Sequence, residues 1–364
     1  MQKKISKAVV IGICMAAFVL IALSYIRKSE VKHLRPGTVK YNINNMAVNK
    51  TLKNNFDDFA LVGYDNELIY TFQSKDDGIE YYVNNGNFSN MVYKSNASAV
   101  FCNQLYSRDM IIGEFYAEEP MSYAIRRVNK DTEEILMQGE CKGIPIVNVI
   151  GENLVVNSHA YKGGKVEQTL QLYNFINNEI MTIGNYVYEI DMEGKCTGEL
   201  LQAVDGFDNS IVFELIYFDN ENMDLDETGK PTLFRYDLKE NNLIKLPITP
   251  PRKLLYVAGD EQCIITSDYA SARPLSDVGT IYVLRNGEYI SMGIPEIESG
   301  NDIVDAGRIT ESTIIIQTLN NVYMIDYEKG IYEKINNSNP IKINEESFGF
   351  IDKNNSLNIY EFNN

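Results

Sequence analysis

Two carboxylates stand where a carboxylate is costly. Glu114 follows Met110-Ile111-Ile112-Gly113 and precedes Phe115-Tyr116, and Glu214 lies inside Ile211-Val212-Phe213-Glu214-Leu215. An acid embedded in an apolar run must find a partner or rise in pKa, and carboxylates used in pairs can run glycoside chemistry. Glu114 and Glu214 are therefore the candidate catalytic residues. The competing expectation is a structural hydrogen bond or ion pair between neighbouring sheets. Other chemistry is sparsely provided for. Histidine occurs only at His33 and His159, which serves triads and histidine-ligated metals poorly. No G-x-S-x-G, GxxxxGK[ST] or strand–GxGxxG–helix pattern is present. Asp224-x-Asp226-x-Thr228-Gly229 begins like a calcium loop, but its twelfth position is Arg235 instead of a bidentate Glu. Asp224 and Asp226 are thus metal candidates in a broken pattern, and a solvated acidic loop is the expectation. No cofactor is expected.

The elements that must position these residues repeat along the chain. An apolar residue beside Tyr or another large residue, then a polar turn, recurs seven times. It is seen at Tyr81-Tyr82-Val83 before Asn84-Asn85-Gly86, at Ala124-Ile125 before Asn129-Lys130-Asp131, and at Leu172-Tyr173 before Asn177-Asn178. It returns at Phe234-Arg235-Tyr236, Ile281-Tyr282-Val283, Val322-Tyr323-Met324 and Ile359-Tyr360. The mean spacing of about 46 residues matches the ~40–50 of a unit of four strands. Each occurrence follows a second hairpin with an acidic or Asn-bearing turn, such as Leu68–Phe72 after Asp65-Asn66 and Ile211–Phe218 after Asp208-Asn209. The last repeat supplies only three strands, 341–343, 348–351 and 357–362. Thr38-Val39-Lys40-Tyr41-Asn42-Ile43 can provide the fourth, which would hide edges that otherwise invite pairing.

In period and strand pattern, residues 38–364 resemble the β-propeller superfamily, nearest to degenerate, envelope-exposed bacterial propellers and distantly to TolB-like ones. The resemblance implies an all-β, seven-bladed ring, with a period that also admits six or eight blades, closed by strand 38–43 pairing with the last blade. No Trp-Asp dipeptide, aspartate box or kelch-type glycine doublets accompany it. It carries no function with it.

Before this body, Lys3, Lys4 and Lys7 precede an uncharged run from Ala8 to Ile26, followed by Arg27 and Lys28. Nineteen helical residues span about 28 Å, close to a ~30 Å hydrocarbon core. Residues 1–28 read as a signal anchor with a transmembrane helix, and 29–37 as a stalk. The body is expected on the extracytoplasmic side, or secreted if the chain is cut near Ala22-Leu23-Ser24. The net charge is −17; the first 35 residues hold seven Lys or Arg and one Glu, so the remainder carries 26 basic against 49 acidic groups. That acidity argues against nucleic acid as a partner. The body cysteines Cys102, Cys141, Cys196 and Cys263 form no metal-binding spacing. They read as small hydrophobes, with one disulfide among them left open.

Links between second and third strands are long at 117–122, 160–167, 219–231 and 268–279. In a propeller these share one face, and long loops on a rigid scaffold are where binding usually resides. They offer Tyr123, Tyr161, Tyr269 and Arg273 as anchors, with Glu118 and Glu119 around them. The expected function is a non-catalytic, membrane-anchored module binding protein or cell-envelope glycan, as a monomer. The alternative is an envelope polysaccharide hydrolase or lyase using carboxylates in the central channel.

Overall fold

The computed structural model describes residues 32–39, 41–47, 59–65, 68–84, 89–190, 196–207, 209–218, 230–247, 256–259, 263–267, 281–286, 288–297, 303–308, 310, 312–318, 321–335, 341–344, 347–351 and 356–361. The apolar run 8–26 lies outside them. Among the described residues no helix is long and apolar enough to cross a membrane.

Every regular element described is a strand, and consecutive strands pair antiparallel in up-and-down meanders. The first is Phe59–Asp65, Leu68–Lys75, Gly78–Asn84 and Ser89–Ser95; the second is Ala99–Tyr106, Asp109–Tyr116, Ser122–Val128 and Glu133–Glu140. An eight-stranded sheet follows. Its first half is Ile146–Ile150, Asn153–Lys162, Lys165–Asn174 and Ile180–Ile190, and its second half is Cys196–Phe207, Ser210–Phe218, Lys230–Asp237 and Asn242–Lys245. Pairing of Tyr188, Glu189 and Ile190 with Gly198, Thr197 and Cys196 joins the halves. Two further meanders run from Tyr256–Gly259 to Glu288–Gly293 and from Ile303–Arg308 to Ile331–Ile335.

The burial pattern explains the sequence pattern. Second strands sit in the middle of stacked sheets and are covered on both faces, so Ser210–Phe218 is buried at all but Tyr217, and Thr313–Thr318 throughout. Hence the continuous apolar runs Met110-Ile111-Ile112, Ile211-Val212-Phe213 and Ile314-Ile315-Ile316, where alternation would have shown a one-sided sheet. The fourth strand Asn242–Lys245 is exposed along its length. Apolar clusters fill the gap between each sheet and the next. Val62, Tyr81, Met110 and Ile112 pack between the first and second meanders, and Ile111, Ile125, Leu154 and Val156 between the second and third. First strands of neighbouring meanders lie side by side from Phe59–Asp65 through to Ile303–Arg308, and Ile341–Asn344 lies beside Phe59–Asp65.

The chain's beginning is woven into its end. Asn42–Ala47 pairs antiparallel with Ser356–Glu361, Ile43 opposite Tyr360, completing a four-stranded sheet with Ile341–Asn344 and Ser347–Ile351. The pairing strand starts four residues later than the 38–43 expected from sequence. Residues 32–36 are no free-standing stalk. Lys32–His33 adds in parallel to Met292–Gly293, and Arg35–Pro36 to Ile331–Tyr332, so the segment straps the outer edges of two neighbouring sheets. Between these contacts Leu34 is 2 % exposed, packed with Met292, Ile294 and Ile314. The reason is the edge itself: an outer strand carries unpaired N–H and C=O groups that any extended segment can satisfy. Leu34, Arg35 and Gly37 donate their N–H groups to Gly293, Gly330 and Tyr332.

Candidate functional site

Glu114 lies on Asp109–Tyr116 with its side chain on the same face as Met110 and Ile112, towards the first meander. It is fully buried. Tyr93, from the neighbouring sheet, donates its hydroxyl to Oε1 at 2.8 Å. Tyr116 donates to Oε2 at 2.7 Å and Arg126 Nε to the same oxygen at 2.6 Å. Ser95 also lies close enough to favour the charged carboxyl. Burial opposes ionisation, but these donors outweigh it and hold the Glu114 carboxyl below its ordinary value. Arg126 reaches on to Glu133 at 2.7 Å and lies over the Tyr93 ring, 5.9 Å from its centroid. Local geometry leaves room for this knot: a bulge in Ala99–Tyr106 faces Glu114, and Gly113 lacks the Cβ that would meet the Phe101 ring at 2.5 Å. A carboxylate so fully engaged clasps two sheets together.

Glu214 is buried as well, but on the face of Ser210–Phe218 shared with Val212, which packs with Leu233, Leu246 and Tyr282. The two carboxylates occupy different intersheet spaces with a whole meander between them. They form no acid–base pair.

The other expected residues scatter. Tyr123 is 6 % exposed, in the core between the second and third meanders. It is no exposed anchor, because the third strand already begins at Ser122. Glu118 and Glu119 stand exposed on the 117–121 link. Tyr269, Arg273, Asp224 and Asp226 lie outside the described residues. Segment 160–167 is not a loop: its strands run on to Lys162 and from Lys165, and only Gly163-Gly164, at φ +60° and +88°, turn the chain. Glycine supplies that left-handed backbone without strain. Tyr161 therefore rides the tip of a long hairpin, 54 % exposed. Cys102 and Cys141 are free thiols, both buried, and burial pushes the Cys102 thiol up to about 12.

Structure adds residues the sequence reading passed over. Gln168 spans from the third meander to the next, donating to the Leu201 carbonyl at 2.7 Å and accepting from its N–H at 2.8 Å. The remaining amide N–H faces His159 Nε2 at 2.8 Å. That makes Nε2 the acceptor and places the imidazole proton on Nδ1, and burial lowers the His159 pKa. Asn148 Nδ2 donates to the Val204 carbonyl, and Gln104 Oε1 accepts from Val149 N–H, two more amide ties between sheets. Gln168→Met is expected to cost about 1–3 kcal/mol, since it strands a buried N–H and C=O of Leu201. A fall in the urea midpoint at constant slope would show it. Two contacts draw Glu119 and the hairpin to one end of the molecule: Lys142 N–H donates to the His159 carbonyl at 2.8 Å, and Lys142 Nζ lies 4.0 Å from Glu119.

No protein-family model matches the chain, and no curated protein does. Solved structures do. The β-propeller domain of the Trilobed protease from Pyrococcus furiosus superposes with a TM-score of 0.52 at 12% identity, covering 84% of this chain and 92% of that one. The fold is a β-propeller. Weaker likenesses are to the acylaminoacyl peptidase of Pyrococcus horikoshii (TM-score 0.49, 10% identity, 80% of this chain and 48% of that one) and to YCF48 bound to D1 peptide (0.45, 7%, 91% and 98%). The Pyrococcus furiosus propeller is described as having an open velcro topology; here Asn42–Ala47 hydrogen-bonds to the final strand.

Proposed function

We propose that this chain is a seven-bladed propeller, held at the outer face of a membrane by residues 8–26, that binds protein or glycan without catalysis. The halves of the eight-stranded sheet count as two blades, and the sheet completed by Asn42–Ala47 as the seventh. The observation that carries the binding reading is Tyr161, a large aromatic held 54 % exposed on a rigid hairpin instead of in a core. Lys142 and Glu119 flank the same end. Against the hydrolase or lyase alternative stands the engagement of Glu114 by Tyr93, Tyr116 and Arg126, in a space that Glu214 does not share.

Full-length protein in membranes is expected to resist alkaline extraction and to lose its body to protease added outside intact cells. Protection of the body from that protease would overturn the placement. Immobilised full-length protein is expected to retain an envelope component, and Tyr161→Ala to weaken retention at least tenfold, as truncating an aromatic anchor does. Equal retention by the variant would sink the binding reading.

A further inference from the structure

The hairpin that carries Tyr161 has two unlike faces. Side chains alternate along a strand, so Asn157, His159 and Tyr161 share one face of Asn153–Lys162. Unbroken pairing sets Leu170, Gln168 and Val166 beside them on Lys165–Asn174. Tyr186 and Tyr188 come next, opposite Gln168 and Val166. The opposite face takes the charges: Lys162 pairs with Glu167 at 2.8 Å, and Lys165 pairs with Glu189. From Asn157 to Tyr161 the first face carries no Asp, Glu, Lys or Arg, and burial keeps His159 towards its neutral form.

That face is graded in depth. Tyr161 is 54 % exposed, His159 is partly buried, and Asn157 is wholly enclosed. The span is about 13 Å along the strand, at ~3.3 Å per residue. Neither Oδ1 nor Nδ2 of Asn157 has a hydrogen-bond partner. A buried amide left unmade is costly, and native chains keep few of them. His159 Nδ1, with its proton assigned by the Gln168 amide, is a further donor, and a Cβ built on Gly143 would stand 3.8 Å from it.

Deepening the binding reading above and resting on it, we propose that this face binds a neutral saccharide. A sugar ring stacks its C–H face on Tyr161, and hydroxyl groups meet His159 Nδ1 and, through ordered water, the enclosed Asn157 amide. The chemistry selects the class. An aromatic ring with a polar tip offers an apolar body and a wet rim, a few placed polar groups fix orientation, and Glu199, whose charge is felt at Tyr186, disfavours an anionic ligand. A wholly apolar ligand would leave Asn157 as unsatisfied as it is now.

The test uses the full-length protein in nanodiscs, with cellotriose, maltotriose, mannotriose and chitotriose as neutral probes and trigalacturonate as the charged one. Saturation-transfer NMR and calorimetry report binding. At least one neutral probe is expected to bind at millimolar or lower concentration, with Tyr161→Ala at least tenfold weaker and Tyr161→Phe nearly unchanged. Asn157→Leu is expected to weaken binding about fivefold or more while melting at the same or a higher temperature, and Lys162→Ala on the other face to bind as the parent does. Failure of every neutral probe, tighter binding of trigalacturonate, or indifference to both Tyr161→Ala and Asn157→Leu would overturn the proposal. If Asn157→Leu raises stability and no sugar binds, the amide holds an ordered water only. If an envelope protein is retained in a Tyr161-dependent way and no saccharide competes, the sugar assignment fails while the surface keeps its binding role.

Discussion

Replacing Glu114 with alanine is expected to lower stability by about 3–5 kcal/mol, the cost of leaving a buried charge without its partner. Arg126 would keep only Glu133, itself half exposed, and the Tyr93 and Tyr116 hydroxyls would lose their acceptor. Glu114→Gln should cost less, because the amide oxygen can still accept from Tyr93 or Tyr116. The glutamine variant isolates the charge through its pH dependence. The folded carboxyl is held below its ordinary value, so its contribution is full above the unfolded pKa and is lost as pH falls through the folded one. Urea titrations at successively lower pH should show the parent losing stability in that acid window, and Glu114→Gln following a flatter course. Parallel curves for the two proteins would mean that Glu114 is not ionised in the fold. The same experiment bears on function, since a catalytic acid needs a raised pKa near its working pH.

The second large effect belongs to the strap. Leu34→Ala is expected to cost about 3 kcal/mol, within the range for emptying a buried leucine site. It leaves the pairing of Asn42–Ala47 with Ser356–Glu361 untouched. Beginning the chain at residue 48 should do far more, removing both parallel edge segments and the fourth strand of the last sheet. It also removes Val39 and Tyr41, which donate to the Glu333 carboxylate at 2.9 and 3.0 Å. The exposed edges should then template association. Loss of a single cooperative urea transition, with aggregates on size exclusion, is the expected result. A chain starting at 48 that unfolds cooperatively and runs as a monomer would show that the early segment only decorates the fold. A body fragment starting at residue 36 would lack Leu34 and its packing against Met292 and Ile314, so binding measurements are better made on the longer chain.

The strand pattern and the repeat were legible because they rest on local chemistry. Turn residues such as Asp65-Asn66 and Asn177-Asn178 punctuate apolar runs whatever those runs pack against. Glu114 could also be singled out from sequence, as a charge set in an apolar strand. Asn157, after Leu154-Val155-Val156, carries the same signal in a weaker form, and the same reading could have found it. Its partners could not be named: Tyr93 and Arg126 lie 21 and 12 residues away, and which of many polar side chains meets Glu114 depends on which face of one sheet turns to the next. Tyr123 and the 160–167 segment were misplaced for a related reason. A glycine pair and a lysine look like a loop until a neighbouring strand supplies the hydrogen bonds that extend the sheet.

Periodicity and turn chemistry alone thus determined an all-β chain of repeated four-strand units, since both act over a few residues. Tertiary structure decided that Lys32–Pro36, polar and unpatterned, becomes edge strand, because the groups it satisfies belong to strands some 260 and 296 residues further on. It likewise decided that Glu114 is a clasp and that Tyr161 stands exposed at the tip of a long hairpin. Burial and charge compensation are properties of packed sheets, and no single stretch of chain contains both sides of a packing contact.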